Sequence, residues 1–238
     1  QATPLNLHVD SIVDIAGNNY IVNDDITVNN PIDLTYPQIN EPLTVSNTSI
    51  AGDILAVGDT IQFVVTPQIA ELELDVNPKE YNGQVLTWSN DATGSKYYTT
   101  YTVDVSHLDQ NEPLDFLNVT ITDSVGNESN SYDIPVTKKI DASYPSISAK
   151  SSFTNTVGAL TVGDSLQFTI TTDKSEYGLK IYPKKYNNKN ISWSTDDGIN
   201  FTALYIVSSG DNTQATPLNL HVDSIVDIAG NNYIVNDD

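Results

Sequence analysis

Three copies of one acidic turn motif hold the side chains best suited to chemistry in this sequence. The motif is Asp-x-x-Gly-Asn, and it occupies Asp14–Asn18, Asp123–Asn127 and Asp227–Asn231. Carboxylate, amide and backbone carbonyl oxygens are the ligands of Ca²⁺, which takes roughly six to eight of them. Each turn is therefore a candidate set of Ca²⁺ ligands. The same spacing is typical of a hairpin turn in which aspartate caps backbone amides and glycine adopts a positive φ, so turn chemistry without a metal is the alternative.

Two further aspartates are expected to lie beside these turns. Asp33 and Asp141 are the second residues of two matching six-residue linkers, each of which ends in tyrosine and proline. In a sandwich of seven consecutive antiparallel strands, the first and seventh strands point the same way, so the turn that enters the seventh lies where the first begins. This topology places the turn Asp123–Asn127 beside the first linker and the turn Asp227–Asn231 beside the second. The loop after the second strand reaches the same end and carries Asp173, so we expect Ca²⁺ sites made from turn, linker and loop residues.

The two expected sites differ in the charge around them. Asp24–Asp25 precede the linker with Asp33, whereas Lys138–Lys139 directly precede the linker with Asp141. A lysine pair weakens a nearby cation site, or replaces the cation by forming ion pairs with the aspartate. The first site is therefore the more favourable one for Ca²⁺. A bound ion would stabilise the folded, docked arrangement of neighbouring units.

The sequence repeats itself on two scales. Residues 1–25 are identical to residues 214–238, an offset of 213 residues. Within this period, Val57–Phe63 resembles Val162–Phe168, and the linkers and acidic turns recur in the same order. Identity over 25 residues indicates duplicated sequence, and internal periods are typical of arrays of structural units.

These repeats divide the chain into three segments. Residues 1–31 are expected to be the C-terminal strands of a preceding unit. Unit A spans residues 32–139, and unit B spans residues 140–238, with its last strand truncated or completed by a neighbour. Unit A has 108 residues, and the period leaves 105 for a complete unit B. This is the size of a single β-sandwich.

Short apolar runs predict strands in both units. They are rich in valine, isoleucine, threonine and tyrosine, and Gly, Asn, Asp and Pro separate them. The clearest runs are Ile61–Val65, Tyr98–Val103, Leu117–Ile121 and Leu166–Ile170. No segment has a sustained helical period. The fold is therefore expected to be all-β, and the tryptophan that each unit carries at a matching position is expected to pack between the sheets.

The order of these motifs resembles that of bacterial immunoglobulin-like tandem repeats in giant cell-surface adhesins and extracellular filament proteins. Gly58-Asp-Thr opens an apolar strand, Ile121-Thr-Asp-x-x-Gly-Asn127 forms a late turn, and Asp141-x-x-x-Pro145 opens the next unit. The resemblance covers essentially the whole chain, although the tyrosine before each linker proline departs from the small residue common in the family. It implies tandem immunoglobulin-like Greek-key β-sandwiches arranged end to end, with junctions that Ca²⁺ stiffens.

Composition excludes several classes of function. The 238 residues include 31 acidic residues against 10 lysines, and the net charge of −21 repels nucleic acid and anionic membrane surfaces. The absence of cysteine excludes disulfides, thiol chemistry and cysteine metal sites. No apolar run reaches the roughly 20 residues of a membrane span. No nucleophile elbow, phosphate loop or paired histidine motif is present, so the chain is not expected to be an enzyme.

We therefore expect a structural repeat segment of a long extracellular fibre or adhesin stalk, located at the cell surface or secreted. Its expected partners are other copies of itself along a fibre axis. The alternative is a repeated module that binds glycan or a host surface and gains avidity from repetition. Exposed aromatic clusters on one set of loops would favour binding, whereas ordered contacts along an axis would favour the fibre.

Overall fold

The computed structural model describes residues 6–27, 29, 32–47 and 52–235. Within these ranges the chain forms β-strands and no helix, which confirms the prediction of an all-β protein. The sheets are antiparallel apart from one short parallel pair, as expected for β-sandwich units. None of the described segments is a long apolar helix of the kind that spans a bilayer.

The described part of the first segment is a hairpin. Strand β1 (Leu7–Val13) pairs antiparallel with β2 (Asn19–Ile26) in a two-stranded sheet. The turn Asp14–Asn18 connects them. Most of the large apolar side chains of this hairpin are exposed to solvent.

Unit A contains two main sheets and a short two-stranded one. Its strands are β3 (Thr44–Asn47), β4 (Ile54–Leu55), β5 (Thr60–Val65), β6 (Asp75–Asn77), β7 (Glu80–Tyr81), β8 (Gln84–Val85), β9 (Ser89–Asn90), β10 (Tyr97–Thr102), β11 (Phe116–Thr122) and β12 (Tyr132–Ile134). One sheet has the order β3-β5-β10-β9 and the other β12-β11-β6, and β7 pairs with β8. In β5 and β10 every second side chain is buried, because successive side chains of a strand point to opposite faces.

Unit B repeats this arrangement. The strands from the junction onwards are β13 (Lys139–Ile140), β14 (Ile147–Phe153), β15 (Ser165–Thr172), β16 (Lys180–Tyr182), β17 (Lys185–Tyr186), β18 (Lys189–Asn190), β19 (Trp193–Ser194), β20 (Asn200–Ile206), β21 (Ser224–Val226) and β22 (Asn232–Ile234). One sheet has the order β14-β15-β20-β19 and the other β16-β21-β22, and β17 pairs with β18. The strands that pair in unit B therefore correspond to the strands that pair in unit A.

The cores of the two units differ in extent. Unit A has one continuous core in which the Phe63 ring stacks on Phe116 at 4.5 Å between centroids. Unit B has two smaller clusters of buried residues, and Trp193 packs against both of them. Trp88 packs against the core of unit A. Both tryptophans are thus partly buried and pack against the cores of their units.

The two units meet through a short parallel strand pair. β13, which crosses the boundary between the units, pairs with β4 of unit A. Ile140 and Ala142, at the start of unit B, are both buried in the core of unit A. The linker therefore completes the end of the first sandwich before it enters the second.

Candidate functional site

The three acidic turns share one backbone geometry. In each, the aspartate Oδ1 accepts a hydrogen bond of 2.8 Å from the backbone N–H of the asparagine four residues later. The glycine before that asparagine has a positive φ of 87°, 97° and 107° in the first, second and third turn. Glycine adopts this conformation without steric cost. Turn chemistry therefore accounts for the motif in all three places.

The side chains of the turn asparagines make different contacts. The Nδ2 groups of Asn18 and Asn127 each donate to the aspartate of their own turn at 2.8 Å. Asn231 instead donates to the backbone carbonyl of Asp141 at 3.2 Å, and its Oδ1 accepts from the backbone N–H of Val57 at 2.7 Å. Asn231 thus connects unit A, the linker and unit B with one amide group.

Both junction turns lie beside the linkers, as the strand topology predicts. Nδ2 of Asn127 is 3.4 Å from the carbonyl of Asp33 and 3.5 Å from that of Thr35, while Asn231 reaches Asp141. The carboxylate of Asp33 itself caps the backbone N–H of Thr35 at 2.9 Å. The linker aspartates therefore meet the turns through backbone carbonyls.

Two other predicted ligand groups, Asp173 and the turn Asp14–Asn18, make hydrogen bonds other than these bonds between turn and linker. The carboxylate of Asp173 accepts a hydrogen bond from the hydroxyl of Ser146. The turn Asp14–Asn18 is fully exposed at the tip of the first hairpin. There the side-chain and backbone hydrogen bonds from Asn18 lower the pKa of Asp14.

A cluster of carboxylates surrounds the linker between the two units. Glu176 is half-buried, and its pKa is raised to about 7 because burial removes its hydration and because Asp227 and Asp141 add negative potential. Burial, followed by Asp227 and Asp109, also raises the pKa of Asp141. Asp109 is tied to the linker, since Oδ1 accepts from the N–H of Ala142 at 2.8 Å. These acids lie close enough to repel one another, and nearby positive charge compensates only part of their negative charge.

The first linker has a similar but more exposed group. The pKa of Glu71 is raised by loss of hydration and then by the charges of Asp123 and Asp33. Asp123 behaves differently: burial opposes its ionisation, but the hydrogen bonds from Asn127, Val125 and Gly126 together outweigh that effect and lower its pKa. Glu71 therefore corresponds to Glu176 at the other linker.

Sequence reasoning missed both glutamates. The weak internal repeat could have revealed them as equivalent residues. Glu71 and Glu176 are 105 residues apart, the same spacing that relates Val57 to Val162. Glycines hold their loops in place: Glu176 N–H donates to the carbonyl of Gly198 at 2.7 Å, and Gly94 has a φ of +69°. A Cβ on Gly94 would lie 2.1 Å from the carbonyl oxygen of Glu71, so only glycine fits there.

The cations near the second linker are not those expected from the sequence. Lys138 donates to the carbonyl of Gly52 and lies 3.8 Å from the carboxylate of Asp53. Lys174 instead is the lysine whose positive charge partly offsets the rise in the pKa of Asp141. Its Nζ lies 3.4 Å from the hydroxyl of Ser143 in the linker. Of the two effects predicted for the lysine pair, an ion pair with Asp141 is not the one that Lys138 makes, since its contacts lie inside unit A.

Within the described ranges, no group of three or more His, Cys, Asp or Glu side chains is arranged to hold a metal ion. The donors at each junction are nevertheless all oxygens, namely carboxylates, an asparagine amide and linker carbonyls. This is the ligand chemistry of Ca²⁺. The residues therefore fit the ion in type, and the hydrogen bonds of the turns satisfy the same groups without it.

Comparison with known proteins adds no family to these observations. No protein-family model matches the sequence, and a search of curated proteins finds no match. The function is therefore inferred from the repeats and from the junction between the units.

Proposed function

We propose that the chain is a structural repeat segment of a long extracellular fibre or adhesin stalk, built from tandem immunoglobulin-like sandwiches. The observation that carries this proposal is the junction between units A and B. There linker residues belong to the core of one unit while the linker opens the other, which supports an end-to-end coupling of the two units.

The strand order supports the immunoglobulin-like assignment of each unit. The seven main strands of unit A are, in chain order, β3, β5, β6, β9, β10, β11 and β12, and they can be lettered A to G. The sheet β3-β5-β10-β9 then has the order ABED, and the sheet β12-β11-β6 has the order GFC. The constant-type immunoglobulin sandwich has this division of strands. Unit B has the equivalent division, which supports a tandem repeat of one fold.

The contacts at the junction support a stiff connection. Lys139 N–H donates to the carbonyl of Asp53 at 3.0 Å, and Asp141 N–H donates to that of Leu55 at 2.8 Å. Ile140 exchanges two backbone hydrogen bonds with Gln110, at 2.7 and 3.1 Å. Together with the buried Ile140 side chain, these bonds fix the direction in which the chain leaves unit A. Repeat arrays keep their reach when each unit is fixed to its neighbour in this way.

Calcium is the second part of the proposal. Glu176, Asp141 and Asp227 repel one another at the junction, and a divalent cation would remove that repulsion. The first linker favours the ion more, because Ile69 stands at the repeat position that Lys174 occupies in unit B. Binding to the docked form alone would stabilise the junction. The stalk would then become stiffer when Ca²⁺ is present.

A calcium titration tests this proposal on the whole chain. Thermal unfolding and small-angle scattering are measured with Ca²⁺ and with chelator. We expect Ca²⁺ to raise the melting temperature and to narrow the distribution of overall lengths. If the ion changes neither quantity in the wild-type chain, the calcium-stiffened stalk is wrong.

Two matched variants separate ligand loss from turn damage. Asp227→Asn and Asp14→Asn alter the same position of the identical repeat, but only Asp227 lies at the junction between the units. We expect Asp14→Asn to keep the full response to Ca²⁺ and Asp227→Asn to lose the part of it that comes from the second junction. An equal response of the two variants would contradict a calcium site at this junction.

A further inference from the structure

The four-stranded sheet of each unit is almost free of charged residues. Asp, Glu and Lys make up 17% of the chain, yet the strands β3, β5, β9 and β10 of unit A contain none of them. In unit B, the strands β14, β15, β19 and β20 contain only Lys150. The three-stranded sheets differ, because they carry Asp75, Asp133 and Lys180. The charge of each unit is therefore unevenly divided between its two sheets.

The outer face of the four-stranded sheet in unit B is uncharged along its three long strands. Successive side chains of a strand point to opposite faces, and the buried Phe168 and Phe201 mark the inner face. Lys150 is opposite the buried Ile170, so it belongs to the inner register. The outward positions are every second residue from Ala149 to Phe153, from Ser165 to Thr171 and from Asn200 to Ile206.

Three large apolar side chains project from this outer face. Phe153, Leu204 and Ile206, which we call the apolar triad, are 63%, 55% and 51% exposed. Phe153 and Leu204 are both opposite Gln167, on the two strands that flank β15. Ile206 is two residues beyond Leu204 on the same side of β20. Single exposed apolar residues are normal on a protein surface, but a group of them on neighbouring strands marks an interaction site.

Unit A shows that the fold does not need apolar residues at these positions. Gln62 and Gln167 occupy matching places in the internal repeat. Gln62 is opposite Ser46 on one side and Thr100 on the other, and Thr102 is the next outward residue after Thr100. A sandwich with this strand order thus forms with small polar residues where unit B has the apolar triad. The triad therefore has a role outside the folding of unit B.

The charge of the chain indicates which partner fits this face. At a net charge of −21, two copies repel each other wherever their acidic loops meet. The outer face of unit B brings no carboxylate of its three long strands towards the partner, and its triad is stabilised by removal from water. A second copy offers the same uncharged face with apolar residues at the same positions. Two such sheets can pack face to face, as the sheets of a β-sandwich do.

We infer that the outer face of the four-stranded sheet in unit B is an interaction surface for the same face of a second copy of this chain. The two sheets pack against each other with their apolar triads in contact. Acidic loop residues stay at the rim, among them Asp164 directly before β15 and Asp197 shortly before β20. This contact joins one chain to another, so it goes beyond the proposed function, which concerns the connection of units along one chain.

The size of the face limits the strength of one contact. The strands β14, β15 and β20 have seven or eight residues. At about 3.3 Å per residue and about 4.8 Å between strands, the face measures about 25 by 15 Å. This area of roughly 400 Å² is smaller than the about 800 Å² that each partner buries in a standard interface. A single pair of chains should therefore dissociate with a constant on the order of 0.1–1 mM, and repetition of the face in an array would add avidity.

The test measures self-association of the full-length chain by sedimentation equilibrium. Protein concentration covers a hundredfold range up to about 1 mM, with chelator throughout. We expect the weight-average mass of the wild-type chain to rise with concentration towards that of a dimer. High salt should strengthen the association, because it screens the repulsion between acidic loops and leaves the apolar contact intact. If the wild-type chain stays monomeric at the highest concentration in high salt, the inference is wrong.

Two triple variants with matched exposure locate the contact. The triad variant gives unit B the residue types of unit A and combines Phe153→Ser, Leu204→Thr and Ile206→Thr. The control variant removes leucines that are 54%, 71% and 50% exposed elsewhere, and combines Leu72→Thr, Leu108→Thr and Leu117→Thr. We expect the triad variant to dimerise at least about tenfold more weakly and the control to match the wild type. Equal dimerisation of the two variants would place the contact on another surface and refute the inference.

A third variant builds the triad on unit A as well. It combines Ser46→Phe, Thr100→Leu and Thr102→Ile, so that each chain carries two such faces. We expect its mass to rise beyond that of a dimer at concentrations where the wild type stops there. A mass curve identical to that of the wild type would show that the triad does not determine association. Because chelator is present throughout, the outcome is independent of the calcium titration.

Discussion

Residues 7–22 and residues 220–235 have the same sequence, but only the second copy is part of a sandwich. Both copies form a hairpin in one register around the same acidic turn. Val222, Ile225 and Val235 are buried in unit B, whereas the matching positions of the first copy are exposed or half-buried. Strand pairing and the turn are therefore local properties of this sequence. Burial, by contrast, depends on the sheet against which the hairpin packs.

The difference has a thermodynamic consequence. Burying a large aliphatic side chain contributes about 1.5–3 kcal/mol, and the second hairpin gains this at several positions. An isolated two-stranded hairpin is only marginally stable in water. The same residues thus have a large effect on stability in one place and a small effect in the other. Matched substitutions in the two copies can measure that difference directly.

The largest effect is expected for the isoleucine that is buried in one copy only. Ile225→Ala should lower the free energy of unfolding of unit B by about 2–5 kcal/mol, because it leaves a cavity in a packed core. Ile12→Ala should change it by less than about 0.5 kcal/mol, because the side chain is exposed. Urea unfolding in a Trp88→Phe background measures unit B alone, since Trp193 is then the remaining tryptophan. Equal losses in the two variants would show that the first hairpin is packed in solution.

A smaller effect is expected for the turn asparagine. Asn231→Ala leaves the N–H of Val57 and the carbonyl of Asp141 without this partner, which should cost about 1–3 kcal/mol at the junction. Asn18→Ala removes only a contact inside an exposed turn and should cost less than about 0.5 kcal/mol. Differential scanning calorimetry should show the melting transitions of units A and B separating in Asn231→Ala alone. If the melting transitions of units A and B in Asn231→Ala are no further apart than in the wild type, Asn231 does not bridge the two units.

The smallest effect is expected for pH. The pKa of Glu176 rises from 4.5 to about 7 on folding, so its favourable contribution is complete below pH 4.5 and is lost as the pH passes through 7. Burial makes its ionisation unfavourable, the charges of Asp227 and Asp141 add to that effect, and Lys174 partly offsets it. In chelator, we expect the melting temperature of unit B to fall between pH 5 and pH 8.

Glu176→Gln should flatten this pH profile, because the amide does not ionise. Glu80→Gln, an exposed substitution on β7, should leave the wild-type profile unchanged. Circular dichroism at several pH values between 5 and 8 gives the comparison. If the melting temperature of Glu176→Gln falls with pH as steeply as that of the wild type, another titratable group causes the pH dependence.

Much of the architecture was accessible from the sequence. Apolar runs such as Ile61–Val65 and Leu166–Ile170 coincide with β5 and β15, because alternation of side chains is a local signal. The position of the turns beside the linkers followed from the direction of consecutive strands. Both predictions depend only on the order of the strands and turns along the chain, and units A and B show the same order.

The details of the junction were not accessible in the same way. The strand order placed the loop between β15 and β16 at the junction through Asp173, but it did not single out Glu176 and Lys174, whose charges act on Asp141 and on each other there. Asn18 and Asn231 have identical flanking sequence, so no local pattern can tell that only Asn231 binds Val57. The partner of a polar side chain is decided by tertiary packing, which one sequence does not display.

The parallel pairing of β13 with β4 determines how the junction would carry mechanical load. Tension along the chain runs along β13, because Lys139–Ile140 continue directly into unit B. The hydrogen bonds from β13 to unit A lie across that direction, so a pulling force loads them together in shear. A hairpin pulled from its open end instead releases its bonds one after another. If the chain forms the stalk proposed above, these junctions would resist stretching as the units themselves do.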